Sequence, residues 1–364
     1  MASTIQTPDS LSLLHNLKTF IFSSSSEVAF SLKKGATTIL AETYYPDPDN
    51  RIEVDVKDVV SHYLKTVIPS SNVTSQADFA AGFVAYLDGT QVQSFNVVNA
   101  GVRTLSVTPT QFLQGNWLTW QPQTKRTTWN APEYLTYYFT GSGSVKAKFY
   151  KKNGTTKTVT YTTVSSAGAR SMNMMMSYLF SLSGESTSDL YGIVDVWVEM
   201  SGSRVSYIQR YIHGETQGDE HFYLCVNSLG GIDTYIFHGA CTLAPDIDHQ
   251  SAMLGDVKVN ITTGAERHWE QVTGYASLKE TNWVFELIAA SQAWAVMSGT
   301  AEPIVIDSSS LQVNDRGSLH SCTFAFKLTY GDKYLNLTRS SEALPAIEVP
   351  TPSGEIFFFD GQAF

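Results

Sequence analysis

The chain has 364 residues and a net charge of -10, and 43% of its residues are hydrophobic while only 16% are charged. This apolar content is sufficient for packed cores and excludes an intrinsically disordered chain. The acidic balance, without a Lys/Arg-rich run, argues against a nucleic-acid-binding protein and against a basic face for anionic membranes.

Targeting and redox signals are weak. Residues 1–14 contain no Lys or Arg and lack the pattern of a secretory signal. The longest apolar runs, such as 283–290, fall short of the ~20 residues that span a bilayer. Cys225, Cys241 and Cys322 are widely spaced and form no C-x-x-C motif, so we expect buried free thiols.

Apolar and polar residues alternate in the first third of the chain, which predicts strands. The predicted strands cover 26–32, 38–45 and 51–56. The Pro- and Asp-rich segment 46–50 predicts a turn between the second and the third. Helical spacing of apolar residues over 57–67 predicts a short helix.

Four β-hairpins are predicted from their connecting residues, which tolerate the positive φ angles of tight turns. The dipeptides Asp88-Gly89, Asn153-Gly154 and Ser201-Gly202 each separate two alternating segments. The fourth connection, 227–231, contains two glycines and is typical of a longer hairpin loop.

The last third continues the strand pattern with one helix. Helical spacing predicts a helix over 281–291, with Thr281 or Asn282 as its cap. A Pro-containing linker then leads to a short, very apolar strand. The predicted strands of this third cover 256–262, 270–277, 303–306, 319–330 and 355–360.

The element order predicts the fold class. No β-α-β repeat occurs, which argues against a parallel α/β sheet. Short strands with regular turn signals predict a mainly β protein with two to three β-sandwich-like domains, built from antiparallel hairpins with one or two short helices. We expect an N-terminal sandwich (1–115), a second sandwich (116–214), a third β-rich domain (215–343) and a C-terminal linker with an apolar tail (344–364).

Catalytic and metal-binding motifs are scarce. The chain contains no G-x-S-x-G motif, Walker A loop or H-E-x-x-H motif, so we expect neither an enzyme nor a cofactor. Asp246, Asp248 and His249 are residue types that bind metals. A solvated turn with local Asp hydrogen bonds is the commoner structure for such a segment.

Aromatic residues suggest a second function. Trp117, Trp120 and Trp129 lie close together in the sequence and could form a stacking platform for a host-surface glycan. The alternative is that these rings fill a core or a domain interface, where large aromatic side chains usually lie.

Two apolar clusters are candidates for a subunit interface. Methionine suits adaptable contact surfaces, although a loosely packed sheet edge would also accommodate these residues. The apolar tail could add a strand to a neighbour, or it could fold back on its own chain. The candidate interface residues are Met174, Met175, Met176, Phe357, Phe358 and Phe359.

Several segments together carry a family resemblance. They are YYPDPDNRIEVDVKDVV (44–60), TWQPQTKRTTWNAPEYLTYYF (119–139), FYLCVNSLGGIDTYIFHG (222–239), and TNWVFELIAASQAWAV, PIVID and SCTFAFKLTY within 281–330. This set resembles tail or baseplate-type structural proteins of phages and prophages of Bacteroidetes bacteria, over about residues 15–335. Its most specific element is NSLGGIDT with the strand before it.

The resemblance implies a virion structural protein, in the tail, tail hub or baseplate, that assembles in the host cytoplasm. The implied partners are other virion proteins and further copies of the chain. From the composition and the short apolar runs, we expect no nucleic-acid partner and no membrane insertion. The family supplies no catalytic residue. A carbohydrate-binding, host-receptor-binding β-sandwich protein is the alternative function.

Overall fold

The computed structural model describes residues 2–215, 220–254, 256–311 and 320–329. The protein is mainly β, with 52% of residues in strands and 12% in helices. Several antiparallel sheets and a few short helices confirm the predicted fold class. We divide the structure into three units, each containing at least one sheet.

The first unit is a sandwich of a three-stranded sheet, order β1-β3-β6, and a five-stranded sheet, order β2-β9-β8-β4-β5. Phe20 and Phe22 of one sheet and Phe30 of the other are buried between them, because alternate side chains of a strand share a face. The elements of this part of the chain are β1 Ser3–Gln6, β2 Leu11–Leu13, β3 Phe20–Ser23, β4 Val28–Lys34, β5 Thr37–Tyr44, β6 Arg51–Val54, α1 Lys57–Ser61, β7 Val73–Gln76, β8 Ala80–Leu87 and β9 Thr90–Val98.

The second unit contains a sheet of order β10-β17-β15-β12-β13, with β16 beside β15, and a three-stranded sheet of order β11-β14-β7. Strand β7 precedes residue 115 and still pairs with β14, so the first two units share a sheet. The elements are α2 Pro109–Gly115, β10 Thr124–Thr127, β11 Tyr134–Phe139, β12 Gly143–Lys151, β13 Thr156–Val164, β14 Gly168–Asn173, α3 Met176–Ser183, β15 Leu190–Met200, β16 Ser203–Arg204 and β17 Gln209–His213.

The third unit is one seven-stranded antiparallel sheet of order β19-β18-β22-β23-β24-β21-β20, covered by helix α4. Trp283 of α4 stacks on Tyr235 of the sheet, with ring centroids 4.1 Å apart, and Leu287 lies in the same buried cluster. The elements are β18 His221–Val226, β19 Ile232–Phe237, β20 Cys241–Leu254, β21 Val257–Val272, α4 Leu278–Ile288, β22 Ala293–Met297, β23 Thr300–Ser309 and β24 Thr323–Leu328.

All four predicted hairpins are confirmed by antiparallel pairing of β8 with β9, β12 with β13, β15 with β16, and β18 with β19. Their connections hold the expected left-handed residues, because glycine and small polar residues adopt positive φ at little cost. These residues are Asp88, Gly89, Gly154, Ser201, Gly202 and Gly230. Sequence reasoning missed a fifth such turn, Ser298-Gly299 between β22 and β23.

Other expectations were wrong in detail. The strands predicted over 256–262 and 270–277 are one long strand, β21, which ends at Val272. Helix α4 begins three residues before the predicted start, because Ser277 and Glu280 form a capping box. The segment 245–250, predicted as a turn, belongs to β20. Pro245 is tolerated there since β20 lies at the sheet edge.

Candidate functional site

A long β-ribbon projects from the third unit. Strands β20 and β21 have 14 and 16 residues, against about 5–6 for an average strand. Only 268–272 of β21 also pair with β24, within the part of the chain that the structure describes. The rest of the ladder, 245–254 paired with 257–267, is called the arm. At ~3.3 Å per residue, ten residues make the arm about 33 Å long.

The tip of the arm has an apolar face. Leu254 lies opposite Val257 and Ala252 opposite Val259, so these four side chains share one face of the ribbon. Leu254 is 74% exposed and Val257 is 62% exposed. A two-stranded ribbon is marginally stable alone in water, and its open edges can pair with another chain. The arm is therefore suited to contact with a second protein surface.

A second feature is the loop of residues 227–231 that connects β18 to β19, here called the junction loop. A Cβ atom on Gly230 would lie 1.7 Å from the backbone oxygen of Asn99, and one on Gly231 would lie 2.0 Å from that of Leu118. Only glycine allows backbones to approach so closely. The loop is thus inserted between the first and second units.

The junction loop is fixed by hydrogen bonds and by an apolar anchor. Asn227 Nδ2 donates to the Leu118 oxygen at 3.1 Å, and Thr66 Oγ1 donates to the Gly230 oxygen at 2.8 Å. Leu229 is buried in a core that contains residues of all three units. That core includes Leu13, Phe79, Val98, Leu113, Leu118, Tyr138 and Ala169. The three units therefore pack as one body.

A buried ion pair adds to the contact between the second and third units. The Lys125 ammonium group donates to a carboxylate oxygen of Glu133 and, at 2.6 Å, to the backbone oxygen of Thr234. The side chains of Lys125 and Glu133 are 5% and 0% exposed. Burial raises the pKa of the Glu133 carboxyl, although Lys125 acts in the opposite direction.

A second buried carboxyl lies beside this pair. Asp233 accepts hydrogen bonds from Thr119 Oγ1 at 2.5 Å and from Trp283 Nε1 at 2.7 Å. Burial raises its pKa as well, against the effect of these donors. Because the side chains of Lys125, Glu133 and Asp233 are all buried, this network joins the units and offers no surface to a substrate.

The raised pKa values predict a pH dependence of stability. The folded chain binds the protons of Glu133 and Asp233 more tightly than the unfolded chain does. Their contribution to stability is complete below the ordinary carboxyl pKa of about 4 and is lost as pH rises through the raised folded values. We expect the wild-type chain to lose free energy of unfolding relative to Glu133→Gln in urea titrations as pH rises above the ordinary carboxyl pKa of about 4. A constant difference between the two chains would contradict this prediction.

Comparison of the chain with models of protein families finds no match, and comparison with curated proteins finds none either.

A membrane-spanning helix is not among the elements found: no helix of the described residues has the length and apolar character needed to cross a bilayer.

The three tryptophans predicted as a glycan platform do not form one. Trp117 is completely buried and donates its Nε1–H to the Tyr207 backbone oxygen at 3.1 Å. Trp129 is half-buried. Trp120 is 46% exposed and donates to Ser228 Oγ at 2.7 Å. Trp117 therefore belongs to the hydrophobic core of the second unit, where large aromatic side chains usually lie.

The methionines predicted as an interface lie mainly in a core. Met174 and Met176 are completely buried in the second unit, so their side chains are unavailable to a partner. Met175 is half-buried and immediately precedes α3. Because side-chain burial alternates just before α3, Met174 and Met176 are buried while Met175 between them is only half-buried. The other predicted interface residues, Phe357, Phe358 and Phe359, lie outside the described residues.

The Asp and His residues considered as metal ligands lie on the arm. Asp246, Asp248 and His249 all belong to β20. The exposed His249 ring lies 3.5 Å from Asn260 Nδ2. Among the side chains that the structure describes, no group of three or more His, Cys, Asp or Glu residues could hold a metal ion.

Proposed function

We propose that the protein is a structural component of a bacteriophage tail, tail hub or baseplate that assembles with copies of itself and with other virion proteins. The arm carries this proposal, because it exposes an apolar face and because its edges pair with no further strand among the described residues. A neighbouring subunit would cover both. The resemblance of the sequence segments supports the same function. The proposed role is structural and does not include catalysis.

The packing of the three units supports an assembly role. A protein that positions its neighbours must keep its own contact surfaces in a fixed relation. The junction loop and the buried network of Lys125, Glu133 and Asp233 restrict movement between the units. The carbohydrate-binding alternative has less support, because Trp117 is buried and Trp129 is half-buried.

The proposal predicts that the arm controls self-association. We expect the double variant Leu254→Glu, Val257→Glu to shift the protein toward the 40.1 kDa monomer, because charges on the apolar face oppose its burial. Folded stability should change by less than about 1 kcal/mol, since both side chains are exposed. Light scattering coupled to size-exclusion chromatography measures the molar mass.

The matched control is Ser251→Glu, on the opposite face of the ribbon, where Ser251 lies opposite Asn260. This variant should keep the wild-type molar mass. Equal loss of association in both variants, or in neither, would show that the apolar face of the arm is not the contact surface.

The phage assignment has its own test. Particles of the phage or prophage that encodes this chain should contain it, as detected by mass spectrometry of purified virions. Purified particles that contain the other tail proteins but lack this chain would overturn the assignment.

A further inference from the structure

A cleft of 580 Å³ lies between the first and third units. Its walls come from α1 and the residues after β2 on one side, and from the junction loop and the end of α4 on the other. Leu14, Leu64 and Ala289 contribute apolar surface, and Phe285 is 58% exposed at this site. The volume falls within the range of about 300–1,000 Å³ that is common for binding clefts.

Charged side chains of both signs line the cleft. Lys57 and Lys65 supply positive charge, and Asp58 and Glu286 supply negative charge. The Glu286 carboxylate is held in place by the backbone N–H of Ser228, which donates to it at 2.7 Å.

The tip of the arm, like the cleft, combines apolar surface with charged residues of both signs. Its apolar face, with Leu254 and Val257 at the end of the ladder, is flanked by the exposed residues Asp256 and Lys258. An apolar tip with one charge of each sign therefore has partners of opposite sign available in the cleft.

Strand directions place the tip and the cleft at opposite ends of the third unit. Strand β19 leaves the junction loop, which lines the cleft, and runs away from it. Six successive antiparallel pairings lead across the sheet from β19 to β20, so both strands run in the same sense. The arm thus points away from the cleft of its own chain and is available to the cleft of another.

We propose that the arm tip of one copy docks into this cleft of a second copy, in a head-to-tail contact. This inference rests on the proposed function, because it names the partner of the arm. The two surfaces differ, so the contact is heterologous and generates a ring or an open stack of subunits. Docking would bury Leu254 and Val257 against Phe285 and the neighbouring apolar residues.

Cysteine cross-linking between two differently labelled copies tests the contact. Met253→Cys places a thiol on the arm tip without changing its apolar face, and Ser291→Cys places one in the cleft. The matched control, Ser203→Cys, is an equally solvent-facing serine on β16 of the second unit. Of the native cysteines, Cys225 and Cys322 are buried and Cys241 is half-buried, and the wild-type chain measures their background reaction.

Equal amounts of the Met253→Cys and Ser291→Cys chains are mixed and treated with a short bifunctional maleimide. We expect a covalent dimer of the two different chains, at least ten times more abundant than in the mixture of Met253→Cys with Ser203→Cys. Equal yields in both mixtures, or no product while the wild-type chain is multimeric, would overturn docking in the cleft but leave the proposed assembly role intact.

Two further outcomes would each overturn the inference, for different reasons. A wild-type chain that is monomeric at every concentration would overturn both the inference and the self-association on which it rests. Cross-linking that occurs only after removal of 344–364 would assign the cleft to that segment of the chain and would also overturn the inference.

Discussion

Replacing Gly231 by alanine is expected to lower the free energy of unfolding by about 3 kcal/mol, because the new Cβ would overpack a closely packed junction. It would lie 2.0 Å from the backbone oxygen of Leu118, which cannot move aside as the end of a side chain could. The clash lies beside Leu229, in the core shared by all three units. Urea denaturation followed by tryptophan fluorescence measures the loss.

Gly115→Ala is the matched control for this substitution. Neither Gly115 nor Gly231 has a positive φ, and a Cβ on Gly115 would have no atom within 4 Å. Because Gly115 ends helix α2, alanine there should be neutral or stabilising by up to about 1 kcal/mol. Similar stability of the two variants would contradict the insertion of the junction loop between the units.

The second large effect is expected from Lys125→Met, which should destabilise the chain by about 3–5 kcal/mol. The substitution leaves the buried carboxyls of Glu133 and Asp233 without their cation. The exposed pair of Lys18 and Asp9 provides the control, since Lys18→Met should change stability by less than about 1 kcal/mol.

A double variant separates loss of charge balance from loss of packing. Lys125→Met together with Glu133→Leu removes both members of the buried pair, and we expect it to recover much of the stability lost in Lys125→Met alone. A single variant as stable as Lys18→Met would show that the pair contributes little to the contact between the units.

Local turn chemistry made most of the hairpins predictable. Asp88-Gly89 and Ser201-Gly202 adopt the positive φ angles that their sequences favour, and each lies between strands whose alternation was also visible. These features depend on neighbouring residues alone. The capping box of α4 is equally local, because it needs only Ser277 and Glu280, but the predicted cap was Thr281 or Asn282, inside the helix.

Contacts between segments that are distant in sequence could not be predicted from neighbouring residues. The period-two pattern predicted a strand near Val257 but not its partner β20, because Pro245 and the polar run 248–251 interrupt the alternation there. Two glycines predicted a longer hairpin loop at 227–231, and the structure has one. The sequence did not show that these glycines also permit close approach of Asn99 and Leu118, which are distant in sequence.

The candidate binding residues show the same limit. Trp117 and Met174 are large apolar residues whose sequence neighbours do not reveal which element covers them, and the structure places both in a core. The arm, in contrast, is a candidate contact surface that sequence composition did not indicate. Its apolar residues are few and its strands are ordinary in composition, and only the pairing of β20 with β21 shows that they project together.

The most direct test of the account is the molar mass of the purified full-length chain over a wide range of concentrations, combined with negative-stain imaging. We predict a multimer of the 40.1 kDa chain with ring-shaped or stacked particles, in which arms connect neighbouring subunits. A 40.1 kDa monomer at every concentration, with isolated particles in the images, would contradict self-assembly through the arm.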